Sequence, residues 1–139
     1  MPPPRTALLS FASMARLLWI CLGGAIGTGA RYLLSVWIFR LTGPGFPYGT
    51  LTVNVIGSFL LGLLLQFSLT TESVPPLFRL VLTTGVLGGF TTYSTFNSET
   101  LGLLREGALG LGLAYLVVTV AACLAAGILG FLGARLLLA

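Results

Sequence analysis

Three stretches of this chain set polar side chains at helical spacing inside long apolar sequence. In "YGTLTVNVIGSFLLG", Thr50, Asn54 and Ser58 fall at i, i+4 and i+8, one stripe of a helix. In "AYLVVTVAAC", Tyr115, Thr119 and Cys123 repeat that spacing. The third stretch, "GVLGGFTTYSTFNSE", runs from Gly85 to Glu99 and crowds glycines, hydroxyls and three aromatic rings together. Such stripes can join helices by hydrogen bonds of about 0.6 kcal/mol each. Two stripes plus a third polar stretch also suit a different use: a path of neutral donors for a small anion.

Most other chemistry is excluded. The chain has no histidine, so catalysis through an imidazole or a Ser/His/Asp set is out, and Glu72, Glu99 and Glu106 are too scattered to read as a carboxylate pair. Cys21 and Cys123 stand at no ligand spacing and fall in apolar runs, as small buried groups rather than a disulfide or a metal site. "GGAIGTG" superficially looks like a dinucleotide loop but has no strand before it. Its small residues, Gly23, Gly27 and Ala30, serve close helix packing instead.

The elements that must position these residues are membrane spans. Of 139 residues, 56% are hydrophobic and 7% charged, far from the roughly one-quarter charged of soluble domains. Crossing a bilayer core takes about 20 mostly apolar residues. Four runs qualify: Leu17 to Phe39, Tyr48 to Leu69, Leu77 to Leu104 and Gly110 to Ala134. Residues 1–16 are then a short N-terminal extension and 17–139 a single four-helix transmembrane domain. The first run is too long for a cleaved signal. Its neighbours are joined by short, turn-rich segments, so successive helices pack antiparallel.

All seven basic residues are arginines, and their distribution argues against nucleic acid as a partner. Arg5, Arg16, Arg40, Arg79, Arg105 and Arg135 mark span ends, the usual place for membrane flanks. Arg31 lies in or at the edge of the first span, where it either snorkels to the headgroups or attracts an anion. One side of the membrane would carry Arg5, Arg16, Arg79 and Arg135 and the other Arg40 and Arg105, plus Arg31 if it reaches the interface, a bias weak enough to allow insertion in both orientations.

Within the third span, Gly85, Gly88 and Gly89 each weaken a helix by about 1 kcal/mol relative to alanine, and the threonines and Ser94 can satisfy freed backbone groups. We read a helix broken over Gly85–Thr92. Non-helical backbone at that depth must be buried in protein or line a cavity, and its carbonyls can hold a cation such as sodium. Tyr93 and Phe96, three apart on the resumed helix, present positive ring edges that an anion can meet.

Through "GGAIGTGARY", "GTLTVNVIGSFLLG" and "GVLGGFTTYSTF", the chain resembles the Fluc (CrcB-type) family of small fluoride channels from about Leu17 onward. The resemblance implies an antiparallel, dual-topology homodimer with two pores that conduct fluoride passively across a microbial plasma membrane. It also implies roles by motif position: Asn54 as the pore asparagine, Tyr93 and Phe96 as the pore aromatics, Ser94 and Thr95 as the hydroxyl pair between them. Tyr115 and Thr119 match a polar track on the fourth helix, and Arg31 becomes a vestibule charge. The carbonyls of Gly88 and Thr91 match those that hold a structural sodium ion, which is not transported. Two positions depart from the pattern: Tyr93 stands where the family most often has phenylalanine, and Cys123 where the track often has a hydroxyl.

Two other readings compete. A small proton-coupled multidrug exporter needs a carboxylate deep in a span; the first span has none, and Glu99 lies late in the third. A structural assembly subunit would leave the polar stripes as helix glue.

Overall fold

The computed structural model describes residues 11–70 and 74–138, so Arg5, Glu72 and the first ten residues of the expected N-terminal extension lie outside the described residues. Helix α1 spans Phe11–Thr42 and so begins before Leu17. It stops where Gly43 takes a positive φ of 73° and donates its amide to the Phe39 carbonyl at 2.8 Å, a left-handed helix end that glycine makes without steric penalty. Pro44 and Pro47 follow, and α2 runs over Tyr48–Thr70. After the third apolar segment, Gly107 repeats the device with φ 80° and leads into α6, Leu109–Leu137.

The third segment is composite. It consists of α3 (Pro76–Leu80), a π-helical stretch (Val81–Leu87), α4 (Gly88–Phe90) and α5 (Tyr93–Arg105). Among the described residues there is no strand, and three helices, within Ser13–Thr42, Tyr48–Thr70 and Leu109–Leu137, are long and apolar enough to cross a membrane.

The break is narrower than the expected Gly85–Thr92. Only Thr91 (φ −79°, ψ 157°) and Thr92 (φ −150°, ψ 111°) leave helical geometry, and Gly85, Gly88 and Gly89 all stay helical. Extended backbone suits a β-branched side chain, whereas the glycines serve a different end. A Cβ on Gly89 would crowd the Gly24 carbonyl at 2.5 Å, and one on Gly27 would overlap the Val86 carbonyl. Their absence lets α1 pack backbone to backbone on the π-helical stretch and α4.

A second seam joins α2 to α6, where a Cβ at Gly62 would strike the Gly127 carbonyl and one at Gly130 the Phe59 carbonyl. Around these seams the surface is mostly apolar, with leucines, valines and both tryptophans exposed. That exterior suits hydrocarbon as solvent.

Candidate functional site

The two extended threonines free backbone groups at the break, and side chains from other elements take them up. Thr92 N–H donates to Asn54 Oδ1 at 2.8 Å, and Asn54 Nδ2 donates to the Thr92 carbonyl at 3.1 Å. The buried amide therefore pairs with both backbone groups of one residue. Thr92 also caps α5, its hydroxyl accepting the Thr95 amide at 3.2 Å and donating to Thr95 Oγ1 at 2.9 Å. Because the Thr92 amide turns to Asn54, the Gly88 carbonyl loses the donor that a continuous helix would supply four residues on. Thr91, in turn, has its carbonyl contacted by Arg31 Nη1 at 3.2 Å.

Beside the break lies a cavity of about 420 Å³, lined in part by Asn54, Ser58, Tyr93, Phe96, Thr119 and Cys123. Both polar stripes reach this one space, from α2 and from α6. Thr119 is buried, and its hydroxyl has no hydrogen-bond partner among the described residues. An unsatisfied buried hydroxyl costs about 1–3 kcal/mol unless water or a ligand meets it.

Next to the cavity, three elements converge on one carboxylate. Thr50 Oγ1 donates to Glu99 Oε1 at 2.8 Å and the Tyr115 hydroxyl to Glu99 Oε2 at 2.7 Å. The Tyr115 ring, 0% exposed, lies edge-on between Phe96 and Phe46, with centroids 5.2 Å from each. Tyr93 extends the row, 5.8 Å from Phe96. A ladder of rings thus runs from the α1–α2 turn to the break, each contact in the tilted or edge geometry that the ring quadrupole favours.

Comparison with known proteins places the chain in a family. Residues 18–131 match the model of a family described as CrcB-like protein, Camphor Resistance (CrcB). The chain belongs to the CrcB-like family. A relative from Anaeromyxobacter dehalogenans (strain 2CP-1 / ATCC BAA-258) is 61% identical over 113 residues, covering 81% of this chain and 90% of its own. One from Sorangium cellulosum (strain So ce56) is 55% identical over 126 residues, 91% of this chain and 99% of its own. A third, from Citrifermentans bemidjiense, is 46% identical over 124 residues, 89% and 100%. All three are named fluoride-specific ion channel FluC.

In this CrcB-like chain the expected site residues divide into groups. Asn54, Tyr93, Phe96 and Thr119 share the cavity. Tyr115 stands behind it against Phe96. Ser94 and Thr95 are exposed on the first turn of α5 and are not part of the cavity lining. Arg31 is half-buried, and its guanidinium donates to the Thr91 carbonyl. Glycine 88 and Thr91 carry the carbonyls at issue, one short of its helical donor and one contacted by Arg31.

Sequence reasoning did not assign roles to Phe46 or Glu99, whereas Thr92 was among the residues expected to satisfy freed backbone groups and does so on the Thr95 amide. The stripe spacing did single out Thr50, four residues before Asn54, but nothing local says that it meets a carboxylate 49 residues away. For Phe46 the only signal is its place in a Gly/Pro-rich turn.

Proposed function

We propose that this chain is a fluoride channel that lets the ion leave the cell passively across the plasma membrane. The observation that carries this reading is the cavity beside the break. There an amide, a hydroxyl without a partner among the described residues and two aromatic rings line one space, in a chain whose relatives are named fluoride-specific ion channels. Fluoride is small, tightly hydrated and a strong acceptor, so removing its water requires compact donors. Asn54 keeps one amide hydrogen beyond the one used on Thr92, Thr119 offers its hydroxyl, and Phe96 and Tyr93 offer edges. Neutral donors bind such an ion yet let it go, which conduction requires. Larger halides gain less from the same groups.

The working unit in this reading is an antiparallel homodimer with four spans per subunit, the composite third segment counted as one span. Support comes from α5, where Tyr93, Ser94, Thr95, Asn97 and Ser98 are all exposed on the single chain. A polar face of this kind is costly against lipid and is satisfied by protein or by a water-filled path. A second copy related by a two-fold axis in the membrane plane brings both breaks together. The near balance of arginines between the two sides allows the dual insertion such a pair needs.

The carbonyls of Gly88 and Thr91 would hold a structural sodium ion between the copies. They are hard oxygen donors, and Gly88's is free of its helical partner, which suits the ion. Because one chain supplies only these two, its counterpart must complete the set. When bound, sodium would join the two breaks electrostatically without entering the transport path.

Efflux from proteoliposomes, read with a fluoride electrode, tests the function. A channel releases trapped fluoride once a potassium ionophore balances charge, and no release under those conditions refutes the reading. A proton-coupled exporter would instead need a pH gradient.

A further inference from the structure

Arg31 carries a full charge in a helix that is otherwise uncharged near the break, and its contact is to backbone. Nη1 donates to the Thr91 carbonyl at 3.2 Å. One helical turn earlier, the Thr28 hydroxyl contacts the Gly89 carbonyl at 3.4 Å. Positions three apart share a helix face, so α1 presents both donors to the break side by side. In an unbroken helix the Thr91 carbonyl would accept the Thr95 amide. That amide is held instead by the Thr92 hydroxyl, at 3.2 Å. Arg31 therefore supplies from across the helix pair the donor that the break removed.

The approach that makes this possible is built in. A Cβ at Gly27 would overlap the Val86 carbonyl, and one at Gly89 would lie 2.5 Å from the Gly24 carbonyl. Small residues bring the two backbones into contact just ahead of the place where Thr28 and Arg31 reach over.

We propose that Arg31 is a positioning residue: it holds the Thr91 carbonyl, and through it the start of α5, where Tyr93 and Phe96 stand, and does not itself attract or bind the anion. The inference rests on the channel reading above and replaces the vestibule role that the resemblance implies for this residue. The two roles differ in their dependence on salt. An attracting charge acts through the field at the pore mouth, which ionic strength screens as the Debye length falls from about 30 Å at 0.01 M to about 3 Å at 1 M. A hydrogen bond to a carbonyl is local and is not screened in this way.

The experiment uses the full-length protein in proteoliposomes and compares Arg31→Met with the unaltered chain at about 0.01 M and about 1 M ionic strength, with fluoride constant. Amide hydrogen exchange over Thr91–Phe96 is followed alongside. Positioning gives a flux about tenfold lower at both ionic strengths, the change expected on losing a charged hydrogen bond, together with faster exchange in that segment. A deficit that closes at high salt with unchanged exchange overturns the proposal in favour of attraction, and so does normal flux with normal exchange. Thr28→Val supplies a second handle if Arg31→Met does not fold: it keeps the charge, and smaller changes in flux and exchange in the same direction support the proposal, while no change in exchange overturns it. Absence of flux in the unaltered chain would refute the channel reading itself, a result distinct from any of these.

Discussion

The α2–α6 seam and the α1–break region use the same residue in the same way and come to different ends. In both, glycine lets one backbone press on another: Gly62 and Gly130 in the seam, Gly27 and Gly89 at the break. Across the seam the two helices are continuous, so their backbone groups stay bonded within each helix and the contact is purely packing. Beside α1, two threonines leave the helix, and partners from three elements answer them: Asn54 from α2, Arg31 from α1 and the Thr92 cap on α5 itself. Glycine alone does not make a break. What distinguishes the functional region is β-branched residues next to a side chain able to replace the lost backbone bonds.

The contrast is sharpest under substitution. Gly62→Val should have the largest effect, because its added carbons meet the Gly127 backbone, which is part of a continuous helix and has little room to shift. Loss of a monodisperse species in size-exclusion chromatography is expected. A well-folded variant with normal flux would show that the seam yields more readily than its geometry suggests.

Asn54→Asp comes next. The carboxylate still accepts the Thr92 amide but sets an acceptor against the Thr92 carbonyl, which costs about 1–3 kcal/mol of stability. It also removes the spare donor and adds a charge of the same sign as the ion. Strongly reduced flux with a lowered melting temperature is expected, and unchanged flux would remove Asn54 from the ion path.

At Phe96, loss should be confined to function. Phe96→Ile keeps an apolar side chain in the buried site but removes the ring edge shared with Tyr115 and Tyr93, so flux should fall at least tenfold, about 1.4 kcal/mol in barrier, while the protein elutes as before. Full activity would sink the ring-edge account.

Tyr93→Phe is the mildest change. The ring is 77% exposed on the single chain, and no hydrogen bond of its hydroxyl enters the site described here. Flux within about twofold of the unaltered protein is expected, a barrier change of about 0.4 kcal/mol. A large loss would move the role from ring edge to oxygen.

How far the molecule could be read from its sequence follows the same division. The pattern of apolar runs and polar spacing located the helices to within a few residues at most ends, because long apolar runs and Gly/Pro turns are local signals. It also placed Asn54 with Ser58 and Thr119 with Cys123 on stripes that do meet at one cavity. The position of the break was less legible. Counting glycines favoured Gly85–Thr92, but whether a glycine bends or packs depends on what lies opposite, and here α1 does. The π-helical turns at Val81–Leu87 left no local mark. Nor did the meeting of Thr50, Glu99 and Tyr115, or the reach of Arg31 to Thr91, since those pairs are 16 to 60 residues apart and arise only once the helices pack.

The central claim is that neutral donors beside the break make a path for fluoride and not for larger halides. Its most direct test is the reversal potential of the unaltered protein in a planar bilayer with fluoride on one side and chloride on the other. The account predicts a current that reverses far toward the fluoride equilibrium potential, with no measurable chloride component. Reversal near zero, as two equally permeant anions would give, contradicts it.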